Sequence, residues 1–277
     1  MAKKLLLVFT LTGFLVLSFA FNSTQENLKA EWNWVDDFSE TEKEKLISWV
    51  SETQQSVKSK IGNYPFVVHY YFHKISNAKE PVPWAHTKRY PDQEVHFHVD
   101  PNFSLQEFIN DWTAPHEISH LALPFLGKTN SWFAEGFASF MQYQIMKEMG
   151  IINQNELNKK FKIKFDENLK SYDSDLPMID RAKQIRKKHN YPGMYWGGAS
   201  FFYAWNQKLS KESNTGLCQL FDSYLQCCRM EDKTLEDIVY SLDRISGKTY
   251  GVELLTEFKT GKAKSTVENL RKSDLLP

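Results

Sequence analysis

His116-Glu117-Ile118-Ser119-His120 is the stretch on which the reading of this chain turns. Residues four apart on a helix lie one above the other on the same face. His116 and His120 therefore present two imidazoles to one point. Glu117, one residue past the first imidazole, can reach a water held at that point without being a ligand itself. Zinc takes imidazole nitrogen readily, and a catalytic zinc keeps one position open for water. The ion lowers that water's pKa and a nearby carboxylate takes its proton. Such a pair also arises by chance, so the reading needs a third ligand. Twelve residues after His120 begins Trp132-Phe133-Ala134-Glu135-Gly136-Phe137-Ala138-Ser139-Phe140, whose Glu135, fifteen residues on, offers one. Glu135 is a lone carboxylate among large apolar neighbours, costly to bury unless paired or metal-bound. An exposed Glu on the polar side of a helix is the plainer reading of an isolated Glu, but not of one that follows the histidine pair. The pattern predicts Zn2+ on His116, His120 and Glu135, with Glu117 as general base.

His116-Glu117-x-x-His120 followed by Trp132-x-x-Glu135-Gly136-x-Ala138 resembles the gluzincin metallopeptidases. It is most similar to the compact peptidase MA-like group, and more distantly to the catalytic domains of aminopeptidase N and glycyl aminopeptidase. The resemblance implies the same zinc ligands and the same base. A further match is Tyr195-Trp196-Gly197-Gly198. Aminopeptidase-type gluzincins carry Tyr-x-x-Gly at the start of a helix, and its tyrosine hydrogen-bonds the oxyanion; Tyr195 takes that place. The family often has Lys before the glycine, where this chain has Gly197. The aminopeptidase signature Gly-x-Met-Glu-Asn is absent, so endo- and exopeptidase action both stay open. The matches cover residues 94–205. In some thermolysin-type enzymes an Asp four residues past the ligand Glu accepts a hydrogen bond from a ligand histidine. That position is Ser139 here, a weaker acceptor, and Asp111 lies near in sequence without a fixed direction.

The rest of the chain frames this site. Its 277 residues suit one large domain or two small lobes, and its formal net charge of zero gives no footprint for nucleic acid. Lys3-Lys4, the apolar run Leu5 to Phe19 and Ser18-Phe19-Ala20 read as a leader, residues 1–20, cleaved after Ala20. The expected product is a secreted or periplasmic protein with no stable membrane span and a peptide or protein as substrate. Three cysteines, Cys218, Cys227 and Cys228, leave at least one thiol unpaired, and all three are read as core residues.

Ser39-x-x-Glu42 and Ser104-x-x-Glu107 are capping boxes that open helices. Phe66 to Phe72 reads as a strand and residues 74–93, with three prolines, as a loop. Glu94 to Val99 alternates as a half-buried strand, and His96 and His98 on its polar face are read as solvated. The resemblance adds a role, because gluzincins run an edge strand along the cleft, and residues 94–99 are the candidate. The zinc helix should begin near Thr113 or Ala114 and stop before Pro124. Helices follow at 131–149, 154–171, 179–188, 197–212, 216–228 and 234–246, with Tyr191-Pro192 in a loop. The expected fold is α+β, a thermolysin-like zincin domain. A lobe with a small antiparallel sheet, about 31–128, precedes a helical lobe, about 129–277. The rival from another class is an inactive zincin-fold peptide-binding module. The intact Glu117 argues against it, since binding needs no general base.

Overall fold

Ser39 starts the first long helix as its capping box dictates. Its hydroxyl accepts from the Glu42 amide, and the Glu42 carboxylate accepts from the Ser39 amide at 2.7 Å. The computed structural model describes residues 29–212 and 215–277, so the leader at 1–20 lies outside the described residues. Helix α1 (Glu40–Ile61) follows strand β1 (Ala30–Trp34) and precedes β2 (Val68–Lys74), β3 (Trp84–Lys88) and β4 (Gln93–Val99). The sheet order is β1-β2-β4-β3. Its apolar face carries Tyr70, Phe72, Val95 and Phe97, and Trp49 of α1 packs on Phe97 at 4.9 Å.

The sheet corrects three expectations. It is mixed rather than antiparallel: β1, β2 and β4 run parallel and only β3 pairs antiparallel. Helix α1 carries the chain back between β1 and β2, and a helical crossover returns a strand in the same direction. Residues 74–93 are not all loop, since they contain β3. The 94–99 strand is not an edge. It lies between β2 and β3, so both sides of its backbone are paired. The free edge facing the cleft belongs to β3.

Helix α2 (Leu105–Asn110) starts at the second capping box, and α3 (Thr113–His120) carries the histidine pair. The helical lobe is α4 (Ser131–Glu148), α5 (Gln154–Asn168), α6 (Met178–Lys187), α7 (Tyr191–Glu212), α8 (Leu217–Cys227), α9 (Leu235–Ser246), α10 (Tyr250–Thr260) and α11 (Ala263–Lys272). Helix α7 begins six residues before the expected 197, because Pro192 occupies its first turn, where a missing N–H leaves nothing unsatisfied. Helices α10 and α11 were not anticipated. Cys218 is buried and free, whereas Cys227 is exposed and bonded to Cys228, so the reading of all three as core holds for two. Among the described residues no helix is long and apolar enough to cross a membrane.

Candidate metal centre

Helix α3 has only eight residues, yet it is fastened at both ends. The Asp111 carboxylate accepts from the Thr113 amide at 2.7 Å at its start, which is where that side chain faces. Its last carbonyls, which a helix cannot satisfy internally, are taken by side chains from three distant segments. Tyr64 donates to the Ile118 carbonyl at 2.6 Å, Arg89 to that of His120 at 2.8 Å, and Arg229 to that of Leu121 at 2.9 Å.

His116 and His120 point from this helix toward Glu135 on α4. Their Nε2 atoms each stand 3.4 Å from Glu135 Oε2. The ligand atoms of the three residues all lie within 4.8 Å of one another, the one such group of three among the described residues. Donor atoms about 2.0–2.2 Å from a tetrahedral zinc are themselves about 3.3–3.6 Å apart. The spacing of the donors, and their two-imidazole, one-carboxylate chemistry, fit that ion. His116 Nδ1 lies 3.0 Å from Gln142 Oε1 and donates to it, which leaves Nε2 as the bare nitrogen. The orienting acceptor is thus Gln142, not Ser139 or Asp111. Gln142 is seven residues past Glu135, two turns on along the same helix face. That spacing was available in the sequence. His120 Nδ1 is buried without a protein partner among the described residues.

Glu117, Tyr195 and Arg89 join His120 and Glu135 around an open cleft with a cavity volume of about 340 Å³. Its far wall is β3, through Ala85, His86 and Thr87. Burial pushes the Glu117 carboxyl up, against the pull of His120 and His116. Burial also opposes charge on Glu135, but the two histidines outweigh it and hold that carboxyl well below the usual range. Burial raises the Tyr195 phenol, as do the nearby charges of Glu135 and Glu117, so it stays protonated and able to donate. Its ring is stacked against that of His116, inclined by 26° with centroids 6.1 Å apart. Arg89 carried no spacing signal in the sequence, and it sits in the segment read as loop.

Two glycines bring Glu135 and Tyr195 together. Helices α4 and α7 cross with backbones in contact, and a Cβ on Gly198 would fall 1.9 Å from the Trp132 carbonyl oxygen. A Cβ on Gly136 would fall 2.3 Å from the Gly198 carbonyl carbon. Gly197, where the resemblance expects Lys, faces Tyr172, whose hydroxyl would lie 2.0 Å from a Cβ. Glycine at this position therefore has a local packing cause.

His96 and His98 lie away from this centre, on the polar face of the sheet, and they are not simply solvated. His96 is 6% exposed, 3.0 Å from His73 Nε2 and 2.6 Å from a Glu94 oxygen. His86 stacks on it at 4.6 Å.

No family model matches the chain, and no curated protein does. Among solved structures the chain is similar to a two-domain M1 zinc metallopeptidase, a mutant bound to L-arginine. The identity is 11% and the TM-score 0.45, over 83% of this chain and 48% of that one. The chain thus spans about half the length of that protein.

Proposed function

We propose that the chain is a zinc-dependent metallopeptidase of the gluzincin kind, acting outside the cytoplasm once its leader is removed. The observation that carries this reading is the 3.4 Å spacing of His116 Nε2 and His120 Nε2 from Glu135 Oε2, with a carboxylate base and a phenol on the same cleft. His116, His120 and Glu135 would hold the ion, His116 turned toward it by Gln142. Bound zinc supplies Lewis acidity toward a water and a carbonyl oxygen.

The chain's own groups do the rest. Glu117, its carboxyl raised above the usual range by burial, takes a proton from the attacking water and gives it to the departing amine nitrogen. The Tyr195 hydroxyl donates to the oxygen that gains charge as the carbonyl carbon becomes tetrahedral. The unpaired edge of β3 offers backbone N–H and C=O groups to an extended peptide, in the place expected of residues 94–99. The test is hydrolysis of a quenched fluorescent casein with and without a chelator. Activity should vanish with chelator and return with zinc. Hydrolysis that ignores the chelator would end the proposal.

A further inference from the structure

Behind Tyr195, on the side away from the cleft, lies a second groove. Its cavity volume is about 550 Å³, and Tyr195 lines both spaces. Five of its twelve lining residues are aromatic. Tyr143 and Trp196 stack at 5.4 Å as one wall, and Trp112 and Tyr191, 46% and 43% exposed, flank it. Large aromatic surface left uncovered beside an apolar cavity marks a binding site more often than a packing defect. The groove is wired to the metal centre. Trp112 stands edge-on to the His116 ring at 5.4 Å, and Gln142, which orients His116, lines the groove.

Its charge is one-sided. Lys160 and Lys164 on α5, one helical turn apart, both line it. The Lys160 ammonium sits over the Tyr143 ring, 5.5 Å from its centre, and forms no ion pair among the described residues. Lys164 pairs with Glu167 at 3.6 Å, its one ion pair among the described residues. Among the described residues no acidic side chain lines the groove; Glu167, beside Lys164, acts on the Tyr143 phenol from outside that lining. An ammonium held over an aromatic ring at a groove mouth is placed to meet an anion that follows a ring.

We infer that this groove binds an aromatic side chain followed by a carboxylate, the ring lying against the exposed Trp112 and Tyr191 and the carboxylate meeting Lys160 and Lys164. The inference rests on the peptidase reading for naming the ligand a peptide segment. It names the substrate class of that site as peptides whose aromatic residue carries a neighbouring carboxylate. Binding itself needs no hydrolysis, which separates the two readings.

The experiment titrates N-acetyl-phenylalanine, its amide, and N-acetyl-alanine into the full chain, following tryptophan fluorescence and ligand NMR line broadening. The acid should bind about threefold or more tightly than the amide, the worth of one exposed charge contact. It should also bind about tenfold more tightly than N-acetyl-alanine, for the ring. The double substitution Lys160→Ala with Lys164→Ala should erase the acid-over-amide preference and leave amide binding in place. Trp112→Ala should weaken acid and amide alike. Equal affinity for acid and amide, no saturable binding, or a preference that survives the double lysine substitution would each overturn the inference. The last would place the carboxylate on the metal. Loss of casein hydrolysis with these binding results intact would instead sink the peptidase reading and leave the groove.

Discussion

Gly198→Ala tests the crossing on which the whole site is built. The added methyl would sit 1.9 Å from the Trp132 carbonyl oxygen and 2.9 Å from the Gly136 Cα, where ordinary contact starts at 3.4 Å. Both obstacles are backbone, so no rotamer change relieves them, and α4 and α7 must part by about 1.5 Å in a close-packed interior. Overpacking typically costs about 1–3 kcal/mol, and a backbone obstacle puts this case at about 3 kcal/mol. For a chain of this size that is a fall in Tm of about 6–12 °C. The same movement carries Glu135 away from the histidines and Tyr195, and a displacement near 1 Å costs on the order of 10²-fold in rate. Circular dichroism melts and casein hydrolysis read the two effects. Gly150→Ala is the control: its Cβ meets nothing within 4 Å and only its left-handed φ of +75° is strained, at about 1 kcal/mol. If Gly198→Ala melts within about 2 °C of wild type and hydrolyses casein at full rate, the close crossing is wrong.

Other perturbations reach the site separately. Gln142→Leu should weaken zinc binding about 10–100-fold, read by competition with a chromophoric chelator, because His116 loses its acceptor; unchanged affinity would remove Gln142 from that role. Tyr195→Phe should lower kcat about 10²–10³-fold with KM nearly unchanged, and a kcat within about threefold of wild type would assign the oxyanion elsewhere. Stability should fall on acidification through the sheet's histidine face. Burial, with His96, His98 and Lys88 beside it, pushes His86 down to about 4; burial and His96 lower His73, and burial, His73 and His96 lower His98. The unfolded chain, with ordinary histidines near about 6.5, then binds more protons than the folded one between those values. The contribution is therefore complete above about pH 6.5 and is lost as pH falls toward about 4. Tm recorded against pH should show this, and His86→Gln should flatten the curve; a wild-type Tm unchanged between about pH 7 and 5 would refute it.

The grouping of His116, His120 and Glu135 was legible because its geometry is local. An i, i+4 pair fixes His116 and His120 on one face whatever the fold, and Glu135 stood out by its apolar surroundings. Both capping boxes were legible for the same reason, since each closes within four residues. What failed depended on pairing between distant segments. β3 is short, lies among prolines and is stabilised by its ladder with β4, so nothing within Trp84–Lys88 announces it. Parallel pairing of β1 and β2 was inferable from the helix between them, but β1 itself was not recognised. The three clamps on the end of α3, Tyr64, Arg89 and Arg229, come from segments 31 to 108 residues away and leave no spacing signature. Gly136 and Gly198 were visible only as motif letters. Their physical role, a backbone contact between two helices, needs both helices in place.

Zinc content is the most direct test of the central claim. The chain, purified without affinity metal and dialysed, should carry about one zinc per molecule by elemental mass spectrometry. Glu117→Gln should keep it, because Glu117 is not a ligand, while casein hydrolysis falls away. His116→Ala should lose it, because two remaining ligands hold the ion far more weakly. Wild-type protein without zinc, or His116→Ala with a full complement, would contradict the account.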